Sequence, residues 1–318
     1  MTDHDPRPAP AVDVHQHLWS EALVEALRER VDAPRVVGTT LLLDGEPPSE
    51  LVVESPKARR DQNDADGIDL ALLAFSSPLG VEHLPPDEAA DLFGVWHVGA
   101  VDLAEDDLSG LGAWASTGLV EPDLDGLGAA LDAGCVGVQV PADAMATPNA
   151  LEQLAPVLAV AEGRDKPAFV HPGRARAATG GLPSWWVPLV DYPAQMAASW
   201  WSWHHLGRSL LPSLRVCFGA GAGLAPLHHE RLAARGGRMG AIDPGVFVET
   251  SSYGPRAVDA LARVLGIDAL VLGSDRPYAD PRDPGLGDAA WHALTRTNPR
   301  RLLDPAQPPA PEDRRSAA

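Results

Sequence analysis

The stretch Val12-Asp13-Val14-His15-Gln16-His17 decides how the rest of the chain is interpreted. It begins as an apolar, β-branched run and ends in two histidines separated by one residue. Residues i and i+2 of a strand project to the same side, so both imidazoles would point the same way. Two neutral imidazoles on one rigid strand form a natural pair of ligands for a divalent metal ion.

Seven further short hydrophobic runs follow, and helix-like patterns separate them. The predicted strands are residues 12–17, 69–77, 96–103, 134–141, 167–172, 215–220, 245–252 and 269–275. Strands that alternate with helices predict a (β/α)8 TIM barrel, a single α/β domain with loop decorations at its C-terminal mouth. An open doubly wound sheet is the alternative, but no GxGxxG or P-loop pattern follows the first strand.

The chain of 318 residues suits one barrel of about 250 residues with decorations. We predict a flexible N-terminal arm over residues 1–10, a metal-dependent barrel over 11–303 and a disordered tail over 304–318, which is rich in proline, alanine and charge. Residues 30–66 are polar, and we expect them to form a long loop and a helix at the rim of the mouth.

The charge and the cysteine content exclude several classes of partner. The net charge is −19, and an acidic surface repels nucleic-acid phosphates and anionic membranes. No apolar run reaches the roughly 18 residues of a membrane span, and the first ten residues lack a signal-peptide core. Cys135 and Cys217 are too few for a disulfide framework. We therefore expect a cytoplasmic protein that acts on a small-molecule substrate.

Two other predicted strand ends carry ligand-type side chains. His171 ends the fifth strand, and Asp275 ends the eighth. In a closed barrel the first and eighth strands are neighbours and the fifth lies across the mouth, so His15, His17, His171 and Asp275 can converge on one ion. The alternative is a packed histidine and a turn-capping aspartate. Four such residues, each at the mouth end of its own strand, favour the metal site.

These motifs resemble those of the amidohydrolase superfamily, and within it the amidohydrolase-related branch that includes amino-carboxymuconate-semialdehyde decarboxylase. The resemblance covers most of the chain. It rests on Asp13-Val14-His15-Gln16-His17, Phe169-Val170-His171-Pro172-Gly173, Gly273-Ser274-Asp275 and Asn298-Pro299-Arg300-Arg301-Leu302-Leu303. It implies a barrel with a catalytic divalent ion at the same four ligands; we expect one ion, zinc first, with Mn²⁺ or Fe²⁺ as alternatives.

Many members of this superfamily hold two metal ions, bridged by a carboxylated lysine at the end of the fourth strand. This chain has only two lysines, Lys57 and Lys166. Lys57 falls in the polar loop, and Lys166 lies at the start of the fifth predicted strand. A lysine-bridged pair is therefore excluded, and we predict a mononuclear centre.

One position departs from the family pattern. Family members of this branch usually carry a histidine at the end of the sixth strand, in a pattern resembling Cys-Phe-x-His-Gly-Gly-Gly-x-x-Pro. Here Cys217 and Pro226 stand at the same spacing, with Ala220 in the place of the histidine. The family histidine is the usual acid/base group, and an alanine methyl can neither donate nor accept a proton.

Another group must then carry the proton. We predict Asp275 and His171 as the catalytic residues, with Asp275 as the proton shuttle. The substitutes considered after them are His228, His229 and Glu249. His228 and His229 are also explained as solvent-facing residues of an amphipathic helix, and His204 and His205 as a packed residue and a helix cap.

Substrate-binding residues are predicted close to the ligands. Arg276, Arg174 and Arg176 lie within a few residues of Asp275 or His171, and a guanidinium can clamp a carboxylate through two hydrogen bonds. Their alternative role is a salt bridge at the rim. Trp185 and Trp186 are predicted to wall an apolar or aromatic pocket, with helix packing or a dimer interface as the alternative. We expect a homodimer.

Three functions follow from these residues. The main prediction is a mononuclear metal-dependent hydrolase of a small carboxylic ester, lactone or amide, acting through a metal-activated water. The second is a non-oxidative decarboxylase of an aromatic or unsaturated acid, and the third is a catalytically silent metal-binding barrel. Ala220 counts more against the decarboxylase, because protonation of carbon needs a placed acid.

Overall fold

The computed structural model describes residues 9–44, 46, 48–105, 110–175, 182–238, 240 and 242–304; the predicted tail from 305 onward and residues 1–8 of the predicted arm lie outside these ranges. The strands are β1 (Val12–Gln16), β2 (Arg35–Val37), β3 (Thr40–Leu42), β4 (Ser49–Glu50), β5 (Leu70–Leu73), β6 (Leu111–Ala115), β7 (Gly137–Pro141), β8 (Ala168–His171), β9 (Val216–Phe218), β10 (Val246–Glu249) and β11 (Leu270–Val271). The helices are α1 (Glu21–Glu29), α2 (Pro56–Ala65), α3 (Pro86–Glu105), α4 (Leu124–Asp132), α5 (Pro148–Glu162), α6 (Tyr192–Ser202), α7 (Arg208–Leu210), α8 (His229–Ala234), α9 (Pro255–Leu265), α10 (Asp288–His292) and α11 (Asn298–Leu303).

Within these ranges, eight parallel strands form the barrel in the order β1, β5, β6, β7, β8, β9, β10, β11. The backbone N–H of Val14 donates to the carbonyl of Leu272 at 2.9 Å, and that of Asp275 donates to the carbonyl of His15 at 2.8 Å. These bonds join the last strand to the first and close the barrel. The predicted (β/α)8 fold of a single domain is confirmed.

The third strand was predicted in the wrong place. Residues 96–103 belong to α3, and the third barrel strand is β6. A short apolar run does not by its periodicity alone distinguish a buried strand from a buried helix, and the glycine and alanines of β6 have low strand propensity. Trp96 of α3 donates from Nε1 to the carbonyl of Trp114 at 3.1 Å and packs the helix on β6. No described helix, α3 included, combines the length and hydropathy that a bilayer span needs.

The barrel interior is a layer of apolar side chains contributed by nearly every strand. It contains Val12, Val14, Leu72, Ala74, Trp114, Phe169, Cys217, Phe247 and Val271. Because side chains alternate along a strand, Phe169 and His171 share the interior side of β8. The register of β1 breaks between Asp13 and Gln16. This irregularity allows Val14 to fill the layer below while His15 and His17 face the mouth.

The segment over residues 30–66 contains the predicted helix at the rim, but a small sheet occupies much of the predicted long loop. It forms the antiparallel sheet β2-β3-β4 and the helix α2. Arg59 of α2 is fully buried, and its Nη1 donates to the carbonyl of His17 at 2.9 Å and to Oε1 of Gln16 at 3.1 Å. The rim is therefore bonded directly to the end of β1.

Glu82 is a buried carboxyl in the connection between β5 and α3. Its side chain is fully enclosed, and neither oxygen has a hydrogen-bond partner among the described residues. Burial raises the pKa of Glu82 from 4.5 to about 7, and the nearby Ser77 and His83 offset only part of this effect. Below pH 7 the group is therefore mostly protonated and neutral, which reduces the cost of its burial.

The free energy of unfolding should fall as the pH rises from about 4.5 to about 7, by about 3 kcal/mol on account of Glu82. In this window the folded chain retains the proton that the unfolded chain has lost, so raising the pH favours unfolding. Glu82→Gln cannot titrate. Relative to wild type, it should gain about 3 kcal/mol between about pH 5 and about pH 8, measured by urea unfolding.

A buried amide can also destabilise the fold by an amount that does not change with pH. Comparing how the free energies of unfolding of the variant and of wild type change with pH separates the titration of Glu82 from this constant cost. Glu121→Gln is the matched control, because Glu121 is exposed in the loop after β6. It should follow the wild-type pH dependence. Parallel stability curves for Glu82→Gln and wild type would show that Glu82 does not carry the proton.

Candidate metal centre

The structure brings the four predicted ligands together at the mouth of the barrel. Nε2 of His17 lies 3.1 Å from Nε2 of His15, 3.3 Å from Nε2 of His171 and 3.2 Å from Oδ1 of Asp275. All four ligand atoms lie within 4.8 Å of one another. Four atoms bound tetrahedrally at about 2.1 Å from one ion are about 3.4 Å apart. The donor set and its spacing therefore fit a single divalent ion.

The other ring nitrogen of each histidine faces an acceptor. Such a partner holds the proton on Nδ1 and leaves the Nε2 lone pair directed at the common centre. The partners are Oε1 of Glu249 for His15 (3.2 Å), the carbonyl of Ala74 for His17 (2.9 Å) and the carbonyl of Pro172 for His171 (2.7 Å). The three imidazoles are thus oriented as metal ligands before any ion binds.

Burial and charge act differently on the three rings. Burial lowers the pKa of His17, and it lowers the pKa of His171 well below its usual range. Burial also lowers the pKa of His15, but the charges of Asp275 and Glu249 outweigh it and raise that pKa overall. Metal binding requires the neutral form of each ring, so His17 and His171 are already in the binding form at neutral pH.

Glu249 orients His15 from behind and does not face the open mouth. It is fully buried, and its carboxylate accepts from the hydroxyl of Ser251 at 2.7 Å and from the backbone N–H groups of Ser251 and Ala220. A Cβ on Gly273 would lie 2.3 Å from Oε2 of Glu249, so glycine permits the close approach. The alternation from Phe247 predicts that Glu249 points into the barrel, but not that it lies behind His15.

Asp275 is the one ligand with substantial exposure. Its side chain is 25% exposed, whereas those of His15 and His17 are nearly enclosed. Its backbone is left-handed, with φ of 64°, a conformation that aspartate adopts more readily than most residues. The carboxylate therefore touches the imidazoles through Oδ1 and remains accessible from the mouth.

Ala220 begins a left-handed turn that continues to Leu224, with φ between 45° and 59°. Non-glycine residues in this region cost on the order of 1–2 kcal/mol each, so the turn is held by its surroundings. The backbone N–H of Ala220 donates to Glu249. Position 220 thus supports the orientation of His15 through its main chain and supplies no acid/base side chain.

The two predicted substrate-binding arginines are already paired. Nη2 of Arg276 donates to Asp66 at 2.7 Å and to Asp280 at 3.1 Å. These contacts correspond to the alternative role named above, a salt bridge at the rim. Nη2 of Arg174 donates to Oδ2 of Asp44 at 2.5 Å. Nη1 of Arg276 is buried and has no hydrogen-bond partner among the described residues. The role of both arginines in substrate binding stays a prediction.

The predicted tryptophan wall lies in the segment that leads to α6. Trp185 is 53% exposed, and its ring centroid is 5.9 Å from that of Trp186. The preceding residues 176–181, which include the candidate Arg176, lie outside the described part of the chain. The roles of the two tryptophans in a pocket or in a homodimer interface stay predictions.

The candidate histidines after the sixth strand do not join the ligands. His229 is buried, and its Nε2 accepts from Nε1 of Trp200 at 3.3 Å. The ring of His204 stacks near the same Trp200 at 4.1 Å. Trp200 belongs to the core between the barrel and its outer helices, and His228 is exposed.

Both lysines also lie away from the ligands. Nζ of Lys166 donates to the carbonyls of Leu131 and Cys135, and the exposed Lys57 pairs with Asp61. Among the described residues, the four-residue cluster is the only group of metal-ligating side chains with this spacing. The geometry agrees with one ion without a lysine bridge.

A cavity of about 110 Å³ adjoins the ligands on the side of His17. Its lining is mixed. Apolar and aromatic side chains line it together with polar and charged ones: Leu18, Trp19, Leu41, Leu51, Val52, Pro277 and Tyr278 beside His17, Ser49, Glu50, Glu54 and Arg59. The ring of Tyr278 lies 5.7 Å from that of His17. The mouth therefore offers a space with both apolar and charged walls beside the proposed ion position.

Solved structures share the whole architecture. IDCase from Metarhizium anisopliae, in its apo form, is 18% identical with a TM-score of 0.74, over 95% of this chain and 98% of that one. An amidohydrolase II is 21% identical with a TM-score of 0.71, over 92% and 99%. A 5-carboxyvanillate decarboxylase from Novosphingobium aromaticivorans, with manganese and 3-methoxy-4-hydroxy-5-nitrobenzoic acid bound, is 18% identical with a TM-score of 0.70, over 95% and 99%. No family model and no curated protein matches the chain.

The structural neighbours include an amidohydrolase and several decarboxylases, and their likeness confirms the barrel fold that the resemblance implies. Most neighbours with a named activity are decarboxylases of carboxyvanillate or dihydroxybenzoate, and several contain manganese. At these identities the likeness establishes the barrel, and the chemistry must be argued from the residues at the mouth.

Proposed function

We propose that this protein is a metal-dependent, non-oxidative decarboxylase of a hydroxylated aromatic carboxylic acid. The observation that carries the proposal is the placement of a ligand set for one ion beside a small cavity that has aromatic and apolar side chains in its lining. An aromatic acid fits both parts, because its carboxylate and an ortho-hydroxyl suit the cation while its ring suits the cavity. The neighbours support the same choice through their named substrates.

A divalent ion held by His15, His17, His171 and Asp275 would supply the positive charge that binds the acid and stabilises negative charge during the reaction. The motifs predict zinc, whereas several of the structural neighbours contain manganese. We propose that the bound ion is one of these two.

The residues of the chain supply orientation and a proton. The cavity beside His17 holds the ring and excludes water from it. Asp275, open to the mouth, takes up a proton from solvent. When the bond between the ring and the carboxylate breaks, its electron pair stays on the ring carbon and accepts this proton, and carbon dioxide leaves. Asp275 thereby fills the role for which Ala220 has no side chain.

The hydrolase is the second candidate, and Ala220 is the observation in its favour. Hydrolysis of an ester or lactone needs no acid beside a ring carbon, and Asp275 alone could move the proton. The neighbours favour the decarboxylase over this first prediction.

A panel assay distinguishes the candidates. Protein loaded with manganese or zinc is supplied with hydroxylated benzoates, and released carbon dioxide is quantified; matched esters and lactones are assayed for acid release. We expect carbon dioxide from an ortho-hydroxylated benzoate. Acid release from an ester or lactone without carbon dioxide would identify a hydrolase, and inactivity at full metal content would favour the silent barrel.

A further inference from the structure

The cavity beside His17 ends in a charged pair that the proposed reaction does not use. Glu54 and Arg59 both line it. Nε and Nη2 of Arg59 donate to the same oxygen, Oε2 of Glu54, at 3.0 and 2.6 Å. Because Nη1 of Arg59 bonds the carbonyl of His17, this pair is fixed relative to the ion ligands.

Arg59 itself has little capacity left for a substrate. Its side chain is 0% exposed, and Nε, Nη1 and Nη2 all have acceptors within the protein. Glu54 differs, since its side chain is 23% exposed. Its second oxygen, Oε1, has no hydrogen-bond partner among the described residues. The cavity therefore presents a free carboxylate acceptor on a rigidly held side chain.

We infer that Glu54 determines substrate specificity by accepting a hydrogen bond from a hydroxyl or amino group of the ring, on the side remote from the carboxylate. The inference rests on the proposed function and narrows its substrate class to aromatic acids with such a donor. A carboxylate acceptor in a substrate cavity discriminates strongly, because an analogue without the donor leaves the carboxylate unpaired.

The substitution E54Q tests the inference, because Arg59 fixes the orientation of the new side chain. The guanidinium of Arg59 has only donors, so it binds the amide oxygen of the glutamine. The amide NH2 then faces the cavity. The acceptor at the position of Oε1 becomes a donor. A hydroxyl on the ligand then loses the carboxylate that accepted its proton, and its oxygen can only accept a weaker bond from the neutral amide. A methoxy oxygen at the same place can accept the same bond.

The experiment measures the affinities of 2,4-dihydroxybenzoate and 2-hydroxy-4-methoxybenzoate for metal-loaded protein by calorimetry. Wild type should prefer the dihydroxy acid by about 10- to 100-fold, and E54Q should bind that acid weaker by about the same factor. The methoxy acid should bind E54Q at least as well as wild type. A role of Glu54 only in holding Arg59 would change both affinities alike and would overturn the inference.

Two further variants complete the design. E25Q is the matched control, because Glu25 is exposed, is paired with an arginine, Arg28, and does not line the cavity; its affinities should equal those of wild type. If E54Q does not fold, E54D takes its place. The shorter side chain retains the charge but withdraws it from the cavity, so it should weaken binding of the dihydroxy acid and leave binding of the methoxy acid unchanged. Equal wild-type affinities for both acids would refute the inference, while failure of both acids to bind would refute the proposed function with it.

Discussion

A His15→Ala, His17→Ala double variant should retain no stoichiometric divalent ion. The two rings supply half of the ligand set, with their Nε2 atoms 3.1 Å apart. Loss of a residue that merely orients a ligand lowers metal affinity by about 10- to 100-fold, so loss of two ligands should exceed that range. Elemental analysis of the purified protein, dialysed against a buffered metal solution, gives the number of ions per chain.

The matched control is the double variant His205→Ala, His228→Ala. Both of these side chains are exposed, so the same number of imidazoles is removed without touching the mouth. The control should bind one ion per chain, and circular dichroism should show the same fold for both variants. A His15/His17 double variant that still holds one ion would place the metal elsewhere.

The barrel could be predicted because its strands are short, buried and nearly uniformly apolar. Strands such as β8 and β10 stand out between amphipathic helices with clear start signals. The position of the third strand was predicted wrongly, because β6 contains a glycine and two alanines while α3 carries the longer apolar run. What distinguishes them is the packing of Trp96 against Trp114, a tertiary contact that no local pattern contains.

The four ligands could be predicted for a related reason. Parallel strands of a barrel end at one mouth, so a histidine or aspartate at a strand end is placed by the fold itself. The side chains that orient these ligands are harder to predict. Glu249 also ends a strand, which makes it a candidate for carrying the proton at the mouth. Its place behind His15 depends on the close approach that Gly273 permits, and no local pattern shows this contact.

The contacts of the loop residues could not be predicted from the sequence. Arg276 follows Asp275 directly, and its nearness to the site suggested a substrate clamp. Its partner Asp66 comes from the end of α2, 210 positions away, and only the folded chain brings them together. The Glu54–Arg59 pair is a local contact, but its place beside the ligands depends on the long-range bond from Arg59 to the carbonyl of His17. Sequence adjacency to a ligand is therefore a weak guide to substrate contact.

Asp275→Asn should lower the rate of carbon dioxide release by about 10²- to 10⁴-fold, the usual contribution of a placed acid/base group. Asparagine preserves the shape and, like aspartate, tolerates the left-handed backbone at this position. Its amide oxygen can still contribute weakly to metal binding. It cannot take up a proton from the mouth and deliver it, so the loss should appear in kcat even when the metal content is restored.

Two measurements make this result specific to proton transfer. Metal content is determined in the same sample, so a loss of rate is compared at equal occupancy. Asp280→Asn is the matched control, because Asp280 is an exposed carboxylate in the same loop that contacts only the paired Arg276 among the described residues. It should retain wild-type turnover. Near wild-type kcat in metal-loaded Asp275→Asn would assign the proton to another group at the mouth, such as Tyr278, whose ring lies 5.7 Å from that of His17.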